Sequence, residues 1–338
     1  MDLNTLWFGL VGVLFTGYAM LDGFDFGVGT LHLLHRNDHD RRVSLNAIGP
    51  VWDGNEVWLV TGGGALFAAF PVVYATVFSG LYLPFILLLC ALIFRAVAIE
   101  FRSKQPMRWW RRLWDVSFFG GSVAASFLFG LAMGNMVRGI PLDADHEFSG
   151  TLRSLLHPYA LWMGVTTVAL FAMHGAIYLA MKTEGELQAR VRGWISPCII
   201  AFIICHSILS LATLLYLPHM TESIKHQPFF FPLVVLVILA IANIPRAIHL
   251  GRDFQAFLSS GATMGLLMTL FGLGLYPNMV FSTTSPENHL TIYNGASSTA
   301  TLRIMLNIAL IGMPVVLAYT ACVYWIFRGK VRLSDNSY

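Results

Sequence analysis

Six charged side chains lie inside the first three long apolar runs of this sequence, where each is costly unless it is paired or hydrated. Asp22 and Asp25 are three residues apart, and Asp53 and Glu56 repeat that spacing in the next run. On a helix, residues three apart share a face. Arg95 and Glu100 occupy the third run. Two chemistries suit this pattern. In one, the charges form a buried ion-pair network that pins three helices together. In the other, carboxylates in excess of the single guanidinium take up and release protons along a path. Arg95 neutralises about one carboxylate, and a purely structural network has no need of the surplus. A cation site would require a dedicated set of oxygen ligands, which the sequence does not offer.

The elements that must position these groups are membrane spans. Charged residues make up 12% of the 338 residues and hydrophobic ones 56%, with a net charge of +3. A water-soluble domain carries roughly 25% charged residues. The composition excludes a soluble enzyme, a nucleic-acid binder and a disordered tail. About 20 apolar residues cross the hydrocarbon core as a helix. Windows of that length predict nine spans, at 6–34, 51–70, 77–100, 114–137, 158–181, 195–217, 229–245, 254–276 and 302–327. No linker or internal repeat divides them, so 1–338 reads as a single integral membrane domain. The amino terminus lacks a basic n-region, and the run after it is too long for a cleaved signal peptide.

Orientation follows from the basic residues, which are retained on the cytoplasmic side. Sixteen Lys and Arg, from Arg36 to Arg332, fall in one set of loops, against Arg138, Arg153, Lys225 and Arg303 in the other. The N-terminus is therefore expected outside and the C-terminus in the cytoplasm. All six buried charges then fall in the cytoplasmic half, in a polar pocket open to that side. Trp109, Trp110, Trp114, Tyr276, Tyr324 and Trp325 are expected at the interfaces. Gly23 and Gly27, Gly130 and Gly134, and Gly261 and Gly265 have the four-residue spacing of close helix packing. Gly62-Gly63-Gly64 predicts a close crossing or a local break.

Cys90, Cys198, Cys205 and Cys322 form no C-x-x-C pair and read as small buried hydrophobes. Of the histidines, only His174 and His206 fall well inside spans, and they differ in depth by about one and a half turns. That offset suits packed or hydrogen-bonded histidines better than two axial ligands of one haem iron.

Four segments resemble subunit II of the cytochrome bd quinol oxidases. They are Tyr18-Ala-Met-Leu-Asp-Gly-Phe-Asp-Phe-Gly-Val-Gly29 and Asn46-Ala-Ile-Gly-Pro-Val-Trp-Asp-Gly-Asn-Glu-Val-Trp58 with its continuation to Pro71, then Arg95-Ala-Val-Ala-Ile-Glu-Phe-Arg-Ser-Lys104, and Leu290-Thr-Ile-Tyr-Asn-Gly-Ala-Ser-Ser-Thr299 followed by Thr301-Leu-Arg-Ile-Met305. The resemblance implies an all-α polytopic chain of nine helices, two four-helix bundles plus one peripheral helix, in a bacterial-type cytoplasmic membrane. It implies a heterodimer with subunit I, which holds two b-type haems, a d-type haem and the quinol-oxidising loop. This chain would bind no haem and no metal itself. The complex would oxidise membrane quinol and reduce O₂ to water with cytoplasmic protons. The resemblance also allows a structural quinone and a small accessory subunit. It makes Asp53 the candidate for proton conduction at the contact with subunit I. The charge pattern itself, and not the resemblance, extends that role to Glu56, Asp25 and Asp22 and gives Arg95 and Glu100 a structural network. Without the resemblance, a proton-coupled secondary transporter remains the alternative, although such proteins often show internal repeats.

Overall fold

The computed structural model describes residues 2–225 and 230–333. Residue 229, where the seventh expected span begins, and the side chain of Lys225 lie outside the described residues. Thirteen helices follow one another: α1 (Leu3–Leu31), α2 (Asp38–Ile48), α3 (Trp52–Ala69), α4 (Pro71–Gly80), α5 (Tyr82–Phe101), α6 (Arg108–Arg138), α7 (Leu152–Leu155), α8 (Pro158–Lys182), α9 (Gly185–Tyr216), α10 (Pro218–Lys225), α11 (Phe230–His249), α12 (Asp253–Leu275) and α13 (Thr299–Ile326). A short hairpin of β1 (Asn278–Val280) and β2 (Leu290–Thr291) precedes α13. Among the described residues, eight helices are long and apolar enough to cross a membrane, and counting the bent pair α3–α4 as one span gives nine. The molecule is an all-α polytopic membrane protein.

The bend corrects one expected boundary. Residues from 77 were assigned to the third span, but α4 turns 119° from α3 and the third span starts at Tyr82. The break falls at Phe70–Pro71, because proline has no N–H for the helical ladder and its ring disfavours helical backbone at the residue before it. A hydropathy window registers apolarity and is blind to such a turn. The glycine triplet makes no break: α3 runs on through it, Gly62 faces Phe15 of α1, and Gly63 and Gly64 face open space.

Helix α1 is central, flanked by α3, α6, α8 and α12. Its approach to α8 is backbone on backbone at Gly27 and Gly175. A methyl group at Gly27 would meet the Gly175 nitrogen at 2.7 Å and the Phe171 carbonyl closer still. Gly121 of α6 does the same for α5, lying beside the Ala91 carbonyl and the Arg95 nitrogen. At the opposite extreme, α13 buries only Leu302. The cysteines differ from expectation: Cys90 and Cys322 are exposed and the other two half-buried, because they lie on outward faces of apolar helices.

The two ends of the bundle differ. At one end, residues 138–157 and 277–301 fold together, with the side chains of Ser282, Thr284 and Asn288 all donating to the Leu142 carbonyl. The other end carries most of the basic residues and the polar helix α2, whose cap Asn37 accepts from the Asp40 N–H at 2.8 Å. Asn37 followed by Asp38 and Asp40 is a helix-start signal.

Candidate functional site

The first three spans and the last one build a charged cluster in the half of the bundle toward the basic end. Asp22 and Asp25 lie on α1, Asn55 and Glu56 on α3, Arg95 on α5 and Tyr324 on α13. Asp22, Asp25 and Arg95 are fully buried. Arg95 grips Asp22 with both guanidinium nitrogens, at 3.0 and 2.5 Å, and its flat face rests 4.2 Å from the centre of the Phe26 ring. Glu56 stands 3.7 Å from the same guanidinium, with a side chain 23% exposed. Asp22 is thus the close partner of Arg95 and Glu56 a distant one.

Asp25 is held differently. One of its oxygens accepts from Asn55 Nδ2 at 2.7 Å, and the other has no partner. Asn55 also donates to the Leu21 carbonyl at 3.1 Å, and its own Oδ1 accepts from the Tyr324 hydroxyl at 2.8 Å. This relay of Asp25, Asn55 and Tyr324 joins the first, second and last spans. Tyr324, expected at the interface, turns inward instead. The sequence does not mark Asn55, or the inward role of Tyr324, because neither is charged, although Asn55 lies between the two acids of its motif.

The sequence-predicted residues divide accordingly. Asp22, Asp25, Glu56 and Arg95 come together. Asp53 sits on the exposed side of the first turn of α3, away from the buried group. Glu100 lies further along α5 than Arg95 and is half-buried. The expected open pocket is a closed cluster, with Glu56 as the member nearest the surface.

A second network, read from the sequence only as basic loop charge, closes the basic end. Asp115 of α6 receives His32 Nε2 at 2.6 Å, Arg102 Nε at 2.5 Å and Arg41 Nη1 at 2.7 Å. Asp38 receives Arg102 and Arg111 at 2.8 and 2.9 Å. Arg190 pairs with Asp40 and Arg192 with Asp253. With each of these carboxylates held by arginine, this network reads as a clamp on the helix ends. His35, in the connection after the first span, is buried beside it with neither ring nitrogen bonded. Burial, and then the neighbouring His32 and Arg41, push its pKa down to about 3.

The two histidines inside the spans are held differently. His174 contacts Ser260 Oγ through Nδ1 at 2.6 Å and the Met20 carbonyl through Nε2 at 3.1 Å, which leaves no nitrogen for iron. His206 stacks on Phe202 and contacts Ser210 of its own helix at 3.5 Å. Among the described residues, no three His, Cys, Asp or Glu side chains form a metal-binding group.

Fold and site define a multi-pass membrane protein with a closed charged cluster shared by its first and last spans. The family of cytochrome bd terminal oxidase subunit II matches residues 3–327, and the chain belongs to that family. It is 34% identical over 365 residues to cytochrome bd-I ubiquinol oxidase subunit 2 of Escherichia coli K12, covering 98% of this chain and 96% of that one. It is 36% identical over 332 residues to cytochrome bd ubiquinol oxidase subunit 2 of Bacillus subtilis, covering 98% and 97%. A chain of the bd oxidase from Geobacillus thermodenitrificans shares the fold, with a TM-score of 0.80 at 14% identity over 97% of this chain and 99% of that one.

Proposed function

We propose that this chain acts as the haem-free subunit of a quinol oxidase, pairing with a haem-bearing subunit I, and that it helps bring protons from the cytoplasm to the site of O₂ reduction. The substrates, membrane quinol and O₂, follow from what the family's members are named for. The haems, two of b type and one of d type, belong in this reading to subunit I, and the occupied nitrogens of His174 support that division. A small accessory subunit remains compatible with the exposed apolar faces.

One observation carries the proton reading. Arg95 gives both terminal nitrogens to Asp22, so Asp25 is a buried carboxylate with no ion-pair partner of its own and one oxygen unpartnered. Burying such a group has no structural return, and a carboxyl that binds and releases a proton is its natural use. Asp53 at the exposed start of α3 is the entry, Glu56 one turn further in is the next station, and Asp25 is the buried one. Asp22 and Arg95 hold the helices in place around them. The discontinuity of α3–α4 is a feature transporters use at the membrane midplane. Here it lies about 21 Å along the helix from Glu56, so the broken segment does not frame the charges.

The test is oxidase activity per haem in the assembled complex. Asp53→Asn and Asp25→Asn should keep haem content and lower quinol oxidation substantially, with slowing of the electron transfer coupled to proton uptake. Unchanged activity per haem in both variants would remove this chain from the proton path.

A further inference from the structure

The hairpin of α11 and α12 carries a cleft of about 650 Å³ that shares no lining residue with the charged cluster. Its wall changes character along its length. Arg246 lies three residues from the end of α11 and Asn243 six, or about 5 and 9 Å of helix. Asn243 Nδ2 donates to Ser259 Oγ of α12 at 2.7 Å. Beyond this pair the wall is hydrocarbon, with Leu239 and Leu236 58% and 49% exposed. A cation, a neutral hydrogen-bonding pair and an apolar groove thus follow one another in the order of the phosphate, ester and acyl parts of a phospholipid.

The charges at the mouth favour an anion. Arg246 is exposed and donates to Asn243 Oδ1 at 3.1 Å, and among the described residues no carboxylate lies within 4 Å of it. The nearest acid of the hairpin, Asp253, is taken by Arg192 at 2.7 Å. Arg252, in the turn, adds positive charge. A similar cleft between α5 and α6 has a wall of apolar and small residues with Ser117 as its polar member, and so lacks a headgroup end.

We propose that the α11–α12 cleft binds one anionic phospholipid, with its phosphate at Arg246 and an acyl chain along Leu239 and Leu236. The inference rests on the membrane-spanning fold and is independent of the proton path.

The test compares lipid retained by the complex as purified from membranes, for the natural chain, Arg246→Gln and Leu258→Trp. Each complex is stripped with detergent and then offered phosphatidylglycerol, phosphatidylcholine or inorganic phosphate, with binding read by native mass spectrometry. The natural chain should take up one phosphatidylglycerol in preference to phosphatidylcholine. Arg246→Gln should weaken that uptake about fivefold, the contribution of one basic residue at an anionic lipid, and Leu258→Trp should block it by filling the groove. Ala262→Phe replaces Leu258→Trp if the latter fails to assemble. Binding of inorganic phosphate alone would overturn the proposal. So would equal uptake of both lipids, a co-purifying quinone displaced by Leu258→Trp but indifferent to Arg246→Gln, or lipid content unchanged in both variants.

Discussion

Lys182 and Lys330 cap each other's helices. The Lys182 ammonium, at the end of α8, donates to the carbonyls of Phe327 and Gly329 just past α13. Lys330 returns the contact, donating to the Met181 and Thr183 carbonyls at 2.8 Å each. The Val331 N–H adds a bond to the Lys182 carbonyl at 2.9 Å. Carbonyls at a helix C-terminus lack intrahelical donors and carry partial negative charge. Each lysine therefore satisfies the end of the other's helix and ties the peripheral α13 to the core. Lys330→Ala should destabilise the docked tail by about 0.5–1 kcal/mol. The measurable result is faster proteolysis near residue 330, with haem content and activity little changed.

The two acids of α1 should respond oppositely to amidation. Asp22→Asn strands Arg95 in the membrane interior, and breaking a buried pair costs about 3–5 kcal/mol. Poor assembly is expected. Asp25→Asn removes no cation's partner, so the complex should assemble and fail in turnover. Recovery of assembled complex, set beside activity per haem, separates the cases; normal assembly of Asp22→Asn would mean that the pair does not hold the site together.

Gly27→Leu should abolish assembly, because the α1–α8 crossing leaves no volume there. Gly63→Leu, facing open space on α3, is the matched control and should leave the fold intact. Membrane levels of the two variants are the measurement.

His35 should make the chain acid-sensitive. Its folded pKa of about 3 lies below the roughly 6.5 of an unfolded histidine. Below pH 6.5 the unfolded chain binds a proton that the folded chain refuses, so stability is full above that pH and falls as the medium is acidified toward pH 3. The slope approaches about 1.4 kcal/mol per pH unit. Thermal unfolding of His35→Leu should depend less on pH between 7.5 and 5.

Reporter fusions at Lys104 and Asn288 should give opposite signals, cytoplasmic and external respectively, if the basic end faces the cytoplasm. Equal signals would overturn the nine-span orientation.

Much of this architecture was legible from residue types alone. Spans show as apolar runs, and the acids and Arg95 stand out because charge in such runs is rare. The division of labour among them was not legible. Spacing places Asp22 and Asp25 on one face, and only the approach of α5, set by Gly121 against Ala91, decides which of them Arg95 reaches. The bond between Asn55 and Tyr324 is not legible because a neutral polar group gains meaning from its partner, and theirs lie far away in sequence. The Asp115 clamp was hidden in the same way: His32, Arg41 and Arg102 come from three separate segments.

The bond between Tyr324 and Asn55 spans 269 residues of chain. At roughly 5–20 residues per second, a ribosome needs about 15 to 50 seconds to travel from one to the other. Throughout that interval the amide beside Asp25 waits in the bilayer without its phenol. A polypeptide released early keeps both acids and Arg95 yet carries a bare amide oxygen on its second span. Completion of the site is therefore timed by the translation of α13.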